Sequence, residues 1–324
     1  MHDPQKIIGV IKHGGLGDFI QAFDAFAAIR KTHPHNPITL ITSQPLQGLS
    51  TLAPWFDHIF IDRRESTISL LKLPLHLIKT KYTRIYDLQT SARTRNYYKI
   101  ARFLGFKGDW VGHVKGASHV HDNPLRDQMH TFERIKEQLS LTRINVIGDV
   151  DLGWLEKKPN ITITQHIKKP FCVLVLACSP KRNDKRWPAQ NFMALCQYLI
   201  QKDLCVLLVG QGYHDQQIAQ NMIKNLNEKY LTKDHQCKNL VDQTSIGQLL
   251  WIFKQADLII GNDTGLMHLA ARTSTYNLTL FGQASNPQYC APRGKNTHYI
   301  KADDLLSLTT DTVLDKINHL AILS

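Results

Sequence analysis

The sequence predicts an α/β chain of two Rossmann-like domains, each a doubly wound parallel sheet, facing a central cleft. Three observations predict it. Short apolar runs alternate with amphipathic stretches, the alternation pauses near residue 142 and restarts near residue 171, and the residues suited to chemistry follow the apolar runs directly. Strands of a parallel sheet read as continuous apolar runs because helices cover both faces. Ligands of such sheets bind beyond the carboxyl ends of the strands.

In the first half, Lys6–Lys12 (KIIGVIK), Ile38–Thr42, His58–Asp62 and Arg84–Leu88 have the length and composition of buried strands. Asp18–Thr32, Gln47–Ala53, Thr67–Thr80 and Thr94–Leu104 read as the helices between them. In the second half the expected strands are Phe171–Leu176, Leu204–Val209, Leu258–Ile260 and Asn277–Phe281. Their expected helices are Asn191–Gln201, Asp215–Asn227, Ser245–Lys254 and Gly265–Arg272. Thr142–Pro170 contains Gly148, Gly153, Pro159 and Pro170 without a helical period and is the expected linker. The domains are therefore expected at residues 1–155 and 156–324. The last amphipathic stretch, Thr310–Leu323, reads as a helix able to cross back onto the first domain.

A chain of 324 residues has room for two cores. Its 43% hydrophobic and 20% charged residues are ordinary for a globular protein, and no run approaches the ~18 apolar residues of a membrane span. The six cysteines all lie in the second half without a CxxC pair, so neither zinc nor a redox motif is indicated. They read as reduced thiols of a cytosolic protein. The net charge of +12 is unevenly placed. Residues 1–62 hold four Lys/Arg and five Asp/Glu, whereas residues 63–126 hold thirteen and four. Such a basic segment suits nucleic acid, an anionic membrane surface, a phosphorylated substrate or plain solvation. No nucleic-acid reading motif accompanies it.

Three loops carry candidate chemistry. After the first strand comes His13-Gly14-Gly15-Leu16-Gly17-Asp18. Glycines let a backbone turn tightly and approach a ligand. The dinucleotide fingerprint fails here, because its third glycine position is Ile20 and no acidic residue follows ITLIT. Asp18 fits either a helix N-cap or a general base taking a proton from an attacking hydroxyl. The loop before Trp187 holds Lys181, Arg182, Lys185 and Arg186, cations suited to a diphosphate leaving group. The third loop is Gly261-Asn262-Asp263-Thr264-Gly265, opening a small-residue helix whose N–H groups favour phosphate. Asp263 fits a cap or a sugar-hydroxyl acceptor. His268, one helical turn after Thr264, fits a buried structural histidine or a ligand contact.

Together these blocks resemble glycosyltransferase family 9, the ADP-heptose:lipopolysaccharide heptosyltransferases. The likeness runs through IKHGGLGDFIQAFDAFAAIRKTHP, YDLQTSARTRNYYKIARFLG, DKRWPAQNF, LVDQTSIGQLLWIFKQADLIIGNDTGLMHLAA and LTLFGQASNPQYCAPRG, in that order. The resemblance implies a GT-B fold and an inverting, metal-independent transfer of heptose from ADP-heptose to the lipopolysaccharide inner core, with no cofactor. It implies Asp18 as catalytic base and Lys185 on the diphosphate. It also implies Asp263, Thr264, Gly265 and His268 on the donor, with Ser179 nearby and Thr244 near the adenine. Gly15 and Gly17 complete the expected donor set. Arg63, Arg64, Arg93, Arg95 and Arg126 are expected to meet the phosphate and carboxylate groups of a lipid-linked acceptor, because guanidinium suits such anions. The implied place is the cytoplasmic face of the inner membrane, without nucleic acid. The chain departs from the family pattern at Ala177-Cys178-Ser179, where Pro-Gly is common, and at Ser274-Thr275-Tyr276, where a proline is common. A transferase for another nucleotide sugar and a non-catalytic binding protein are the alternatives.

Overall fold

The computed structural model describes residues 6–64, 69–148, 150–160, 163, 167–179, 182–230 and 236–320. The chain divides into two compact units, Met1–Trp154 and Leu155–Ser324.

The first unit has strands β1 (Ile8–Ile11), β2 (Ile38–Thr42), β3 (His58–Ile61), β4 (Arg84–Asp87), β5 (Asp109–Gly112) and β6 (His119–Val120). They form one sheet in the order β3-β2-β1-β4-β5-β6, every pair parallel. Val10 of β1 lies between Leu40 and Tyr86. The chain walks outward from β1 to β3, then returns to β4 and walks the other way. That reversal makes the gap between β1 and β4 a topological switch point. The helices are α1 (Leu16–Ile20), α2 (Phe23–Thr32), α3 (Gln47–Leu52), α4 (Ser69–Thr80), α5 (Ala92–Phe103) and α6 (Thr131–Ser140). Right-handed crossovers put α4 and α5 on the same face of the sheet, where they pack against each other. Ile11, Ile41, Leu73, Leu77, Tyr97, Ala101 and Trp110 form the core beneath them. Away from that core, Trp55 lies 5.2 Å from Phe23 and 5.1 Å from Trp154, ring centre to ring centre.

The second unit repeats the plan with β7 (Phe171–Val175), β8 (Cys205–Val209), β9 (Cys237–Asn239), β10 (Leu258–Asn262), β11 (Tyr276–Phe281) and β12 (Thr297–Lys301). The order is β12-β11-β10-β7-β8-β9, again parallel throughout, with the switch point between β7 and β10. Its helices are α7 (Ala189–Gln201), α8 (Tyr213–Tyr230), α9 (Ile246–Gln255), α10 (Gly265–Ala270), α11 (Pro287–Cys290) and α12 (Thr310–His319).

The elements differ from the sequence reading in some places. The expected Asp18–Thr32 helix begins at Leu16 and is broken after Ile20 into α1 and α2. Strands β5, β6, β9 and β12 and helix α6 are absent from the sequence reading; the strands carry no strong period, whereas α6 does, with Phe132, Ile135 and Leu139 spaced along one face. Strands β6, β9 and β12 are sheet edges, partly exposed, and so lack an apolar run. The last helix packs in the second unit, where Val313 and Ile317 are buried with Leu195 and Leu199. Its expected end at residues 321–323, like the expected start of α4 at residues 67–68, lies outside the described residues.

A polar network ties the first unit's elements together. Asp62, buried just past β3, accepts from Tyr97 Oη at 2.6 Å and lies 3.2 Å from His13 Nε2. Tyr97 Oη also accepts from Arg93 Nε at 2.5 Å, and Arg93 Nη2 donates to Ser69 Oγ at 2.6 Å. Burial alone would raise the Asp62 pKa, but His13, Tyr97 and the charge of Arg93 outweigh it and hold the carboxyl below its ordinary range. A carboxyl whose pKa is lower folded than unfolded contributes stability above its unfolded value, and that contribution is lost as pH falls through the folded value. Urea midpoints should therefore decline as pH drops below about 4. Asp62→Asn should lower the midpoint at neutral pH and flatten that decline. An equally steep decline in the variant would remove Asp62 as its cause.

Gly261, in β10, lets two strands approach closely. A Cβ there would lie 2.4 Å from Val175 Cβ and 2.8 Å from Val175 O in β7. Gly261→Ala should cost about 1–3 kcal/mol by overpacking, read as a lowered thermal midpoint. An unchanged midpoint would mean β7 and β10 part without cost.

Candidate active site

In the first unit, β1 is followed by Lys12 and His13, and the chain then runs through Gly14 into α1. Gly14 has φ +98°, and a Cβ there would meet Asp18 Oδ2 at 2.9 Å. Gly15 is the N-cap of α1 and makes no side-chain cap bond. A Cβ on Gly15 would meet nothing within 4 Å. Gly17 lies inside α1, not in the loop before it. Asp18 is an exposed first-turn residue, so its carboxylate is not the helix cap.

Asp18 borders a small pocket of about 80 Å³ at the switch point, shared with Lys12, Gln89, Thr90, Arg126, Arg134 and Gln138. Lys12 is buried and donates from Nζ to Leu88 O at 3.4 Å. Burial pushes its pKa down, while the Asp18 carboxylate opposes that shift. Arg126 is also buried. Its Nη2 donates to Thr90 Oγ1 at 2.5 Å and its Nη1 to Asp127 at 3.2 Å. Its buried Nε has no hydrogen-bond partner among the described residues. Burial, then the charge of Arg134, pulls the Arg126 pKa down, yet a guanidinium stays charged. One carboxylate thus shares a pocket with three cations. A carboxylate can take a proton, and cations with open donors can hold an anion.

Of the five arginines expected to bind an acceptor, Arg126 alone lines this pocket. Arg93 is engaged by Tyr97 and Ser69 and serves the fold instead. Arg95 is half-buried in α5, and Arg63 and Arg64 are exposed beyond β3. Sequence reasoning passed over Lys12 and Arg134. The signal for Lys12 was present, as a lysine closing an otherwise buried apolar run.

In the second unit the candidate residues follow β7, β9 and β10. Asn262 ends β10, donating from Nδ2 to Leu176 O at 3.0 Å and accepting from Trp187 N at 2.9 Å. Trp187 is buried and donates from Nε1 to Leu308 O at 2.8 Å. The next residue, Asp263, is buried, and its Oδ2 lies 2.5 Å from Lys185 Nζ. The same oxygen accepts from Ser285 Oγ. Thr264 is the N-cap of α10, Gly265 its first residue, and His268 is buried within it. Ser179 is exposed just past β7. Thr244 is half-buried before Ser245, which caps α9 in a reciprocal box with Gln248.

The basic loop is a set of ion pairs, not a cluster of free cations. Arg182 pairs with Asp184 at 3.0 Å and donates to Ala284 O at 2.7 Å. Arg186 pairs with the buried Asp215 at 2.6 Å and donates to Leu176 O at 3.3 Å. Lys181 lies outside the described residues. Lys185 and Asp263, read separately from the sequence, meet directly, and Lys185 keeps 18% of its side chain exposed. A solvent-reachable ammonium backed by a carboxylate beside a helix start can meet a phosphate group. Among the described residues no group of three His, Cys, Asp or Glu side chains is placed to hold a metal ion.

Comparison with known proteins follows this geometry. The family model "Glycosyltransferase family 9 (heptosyltransferase)" matches residues 71–307. The lipooligosaccharide heptosyltransferase 2 of Haemophilus ducreyi is 30% identical over 156 residues, 42% of this chain and 43% of that protein. The chain thus spans less than half the length of that relative. The lipopolysaccharide heptosyltransferase 1 of Campylobacter coli is 21% identical over 87% of this chain and 85% of its own. Among solved structures, a family 9 glycosyl transferase from Veillonella parvula superposes with a TM-score of 0.73 at 17% identity, covering 100% of this chain and 99% of that one. The ADP-heptose lipopolysaccharide heptosyltransferase II of E. coli gives 0.68 at 18% identity, covering 98% of both. These structures share the fold of two doubly wound sheets, the GT-B class expected from the sequence. With the family model matching from α4 in the first unit to the segment before α12 in the second, the chain belongs to glycosyltransferase family 9.

Proposed function

We propose that the protein is an inverting, metal-independent heptosyltransferase of lipopolysaccharide core assembly, using ADP-heptose as donor and an anionic lipid-linked acceptor at the cytoplasmic face of the inner membrane. The observation that carries this reading is Asp18. It is exposed, it is not a cap, and it opens on a pocket with Lys12, Arg126 and Arg134. The names of the relatives support the sugar and the acceptor class. E. coli WaaC, a structural neighbour, has been solved with ADP and with ADP-2-deoxy-2-fluoro heptose, which supports the donor.

The reaction is a single displacement. An acceptor hydroxyl gives its proton to Asp18, and its oxygen attacks the anomeric carbon. The bond from that carbon to the diphosphate oxygen breaks, and ADP leaves with the electron pair. Lys12, Arg126 and Arg134 hold a carboxylate or phosphate of the acceptor. Arg126 uses its fork, and its unpaired Nε gains a partner when the anion arrives. The open backbone at Gly15 admits the sugar, with Gly17 just beyond it inside α1. In the second unit Lys185 meets the diphosphate, joined by N–H groups at Thr264 and Gly265 and by the Ser179 hydroxyl. Asp263 holds Lys185 in place and offers its second oxygen to a sugar hydroxyl. His268 orients the sugar, and Thr244 lies toward the adenine.

Asp18→Asn should cut acceptor-dependent ADP release by about 10²–10⁴-fold, the worth of a positioned base, while ADP binding stays unchanged. Full turnover in the variant would dismiss Asp18 as base. ADP should compete with the donor and UDP should not, and equal competition would point to another nucleotide sugar. Arg126→Ala should raise the acceptor KM about tenfold or more, the factor for one lost charge-assisted contact, and leave the donor KM alone. An effect on the donor KM instead would move Arg126 out of the acceptor subsite.

A further inference from the structure

Helices α4 and α5 present an unusual outer surface. Leu71 and Leu75 of α4 are 46% and 54% exposed, and at the end of α5 Phe103 is 90% and Leu104 40% exposed. At about 100° per residue, Ile78, Leu71 and Leu75 fall within roughly 60° of the α4 circumference, with Lys79 and Lys72 along one edge. Both lysines are exposed, and Ile78 is half-buried. Lys99, one turn before Phe103, is exposed, as is Lys107 just beyond α5. Both helices connect parallel strands, so they run in the same direction and their C-terminal ends are neighbours. Together they carry Lys72, Lys79, Arg93, Arg95, Lys99 and Arg102 and no acidic residue. Between Ser69 and Gly108 the chain has one acid, Asp87, and it is buried.

Single exposed leucines need no explanation. A leucine stripe edged by lysines on two adjacent acid-free helices does. The cores of protein interfaces are depleted in lysine. A helix lying in the headgroup layer of an anionic bilayer instead combines an apolar stripe with cations at its edges. No described helix is long and apolar enough to cross a membrane, which leaves a surface-lying mode for α4. We propose that the outer face of α4, with the C-terminal end of α5, is a docking surface for an anionic lipid bilayer. Leu71 and Leu75 enter the headgroup–acyl boundary, and Lys72, Lys79, Lys99 and Lys107 pair with lipid phosphates. This rests on the lipid-linked acceptor proposed above and adds the face on which the protein meets that lipid.

The test is flotation of the full chain with phosphatidylglycerol–phosphatidylethanolamine vesicles and with phosphatidylcholine vesicles. Wild type should bind the anionic vesicles preferentially and lose binding as salt rises. Leu71→Ser with Leu75→Ser should weaken binding by about tenfold or more. Lys72→Gln with Lys79→Gln should weaken it by about fivefold per charge and flatten the salt dependence. Thermal midpoints should match wild type, since these side chains are exposed. Heptose transfer to a lipid-free core oligosaccharide should be unchanged in both variants. Wild-type binding in either double variant overturns the assignment, and so does salt-insensitive binding to both vesicle types. Sedimentation showing a wild-type dimer that the leucine variant dissociates also overturns it and assigns the face to a second copy of this chain. Vesicle binding as expected, with no heptose transfer by wild type to any acceptor, would leave the surface standing and remove the proposed reaction.

Discussion

The amide of Asn262 is inside the second unit with both ends committed, one to Leu176 O and one to Trp187 N. Those bonds join the end of β10 to the loop that leaves β7, across the switch point of the sheet. Everything proposed for the donor depends on that join. Lys185 sits two residues before Trp187 and Asp263 one residue after Asn262, so the amide fixes both arms of their 2.5 Å ion pair. Losing it would strand the buried Trp187 N, at about 1–3 kcal/mol for a group left unpaired, and leave Leu176 O with Arg186 alone. Gly261 contributes from the other side by letting β10 lie close against Val175. The order Gly-Asn-Asp-Thr-Gly therefore divides its labour. The first two residues build the strand end, and the next three lead into α10 beyond it.

The first unit solves a different electrostatic problem. Lys12, Arg126 and Arg134 converge on one pocket with a single carboxylate. Burial pushes the pKa of both Lys12 and Arg126 down, and Arg134 adds repulsion on each. A fold gains nothing from gathering like charges, since each burial carries a desolvation cost, offset in part by Asp18 and Asp87 at Lys12 and by Asp127 and Asp87 at Arg126. The arrangement is favourable once an anion occupies the pocket. Groups whose pKa is displaced by burial and by a like charge, gathered at a switch point, mark this pocket as a candidate ligand site.

Both sheets were legible in the sequence where strands are central, because residues such as Val10, Leu40, Leu174 and Ile260 are buried on both faces and produce unbroken apolar runs. The edge strand β3 was legible as well, whereas the edge strands β6, β9 and β12, and β5 inside the first sheet, were not. His119–Val120 and Cys237–Asn239 are short and half-buried, and Thr297–Lys301 is mixed in character. The site was legible in its loops but not in its pairings. Glycines and acids after strands can be seen in a sequence, whereas the meeting of Lys185 with Asp263, 78 positions apart, is a product of the strand order β10-β7. The same holds for Arg182 and Arg186, which looked like free phosphate ligands and prove to have carboxylate partners.

The basic segment shows why a summed charge says little until its members are placed. Arg84 is paired with Asp109 at 2.7 Å on adjacent strands, and Arg93 anchors the Asp62 network. Arg102 lies over the rings of Tyr98 and Phe106 at 5.3 and 5.6 Å. These three serve the fold. Arg126 turns inward to the pocket of Asp18. What remains facing solvent on α4 and α5 is mostly lysine, and it stands beside exposed leucine and phenylalanine. Lysine keeps a long apolar stem under a strongly hydrated charge, so it tolerates that neighbourhood where arginine in a planar pair would not be needed. On α4 and α5, then, the exposed cations are the lysines Lys72, Lys79 and Lys99, while Arg93 and Arg102 are held by partners of the fold.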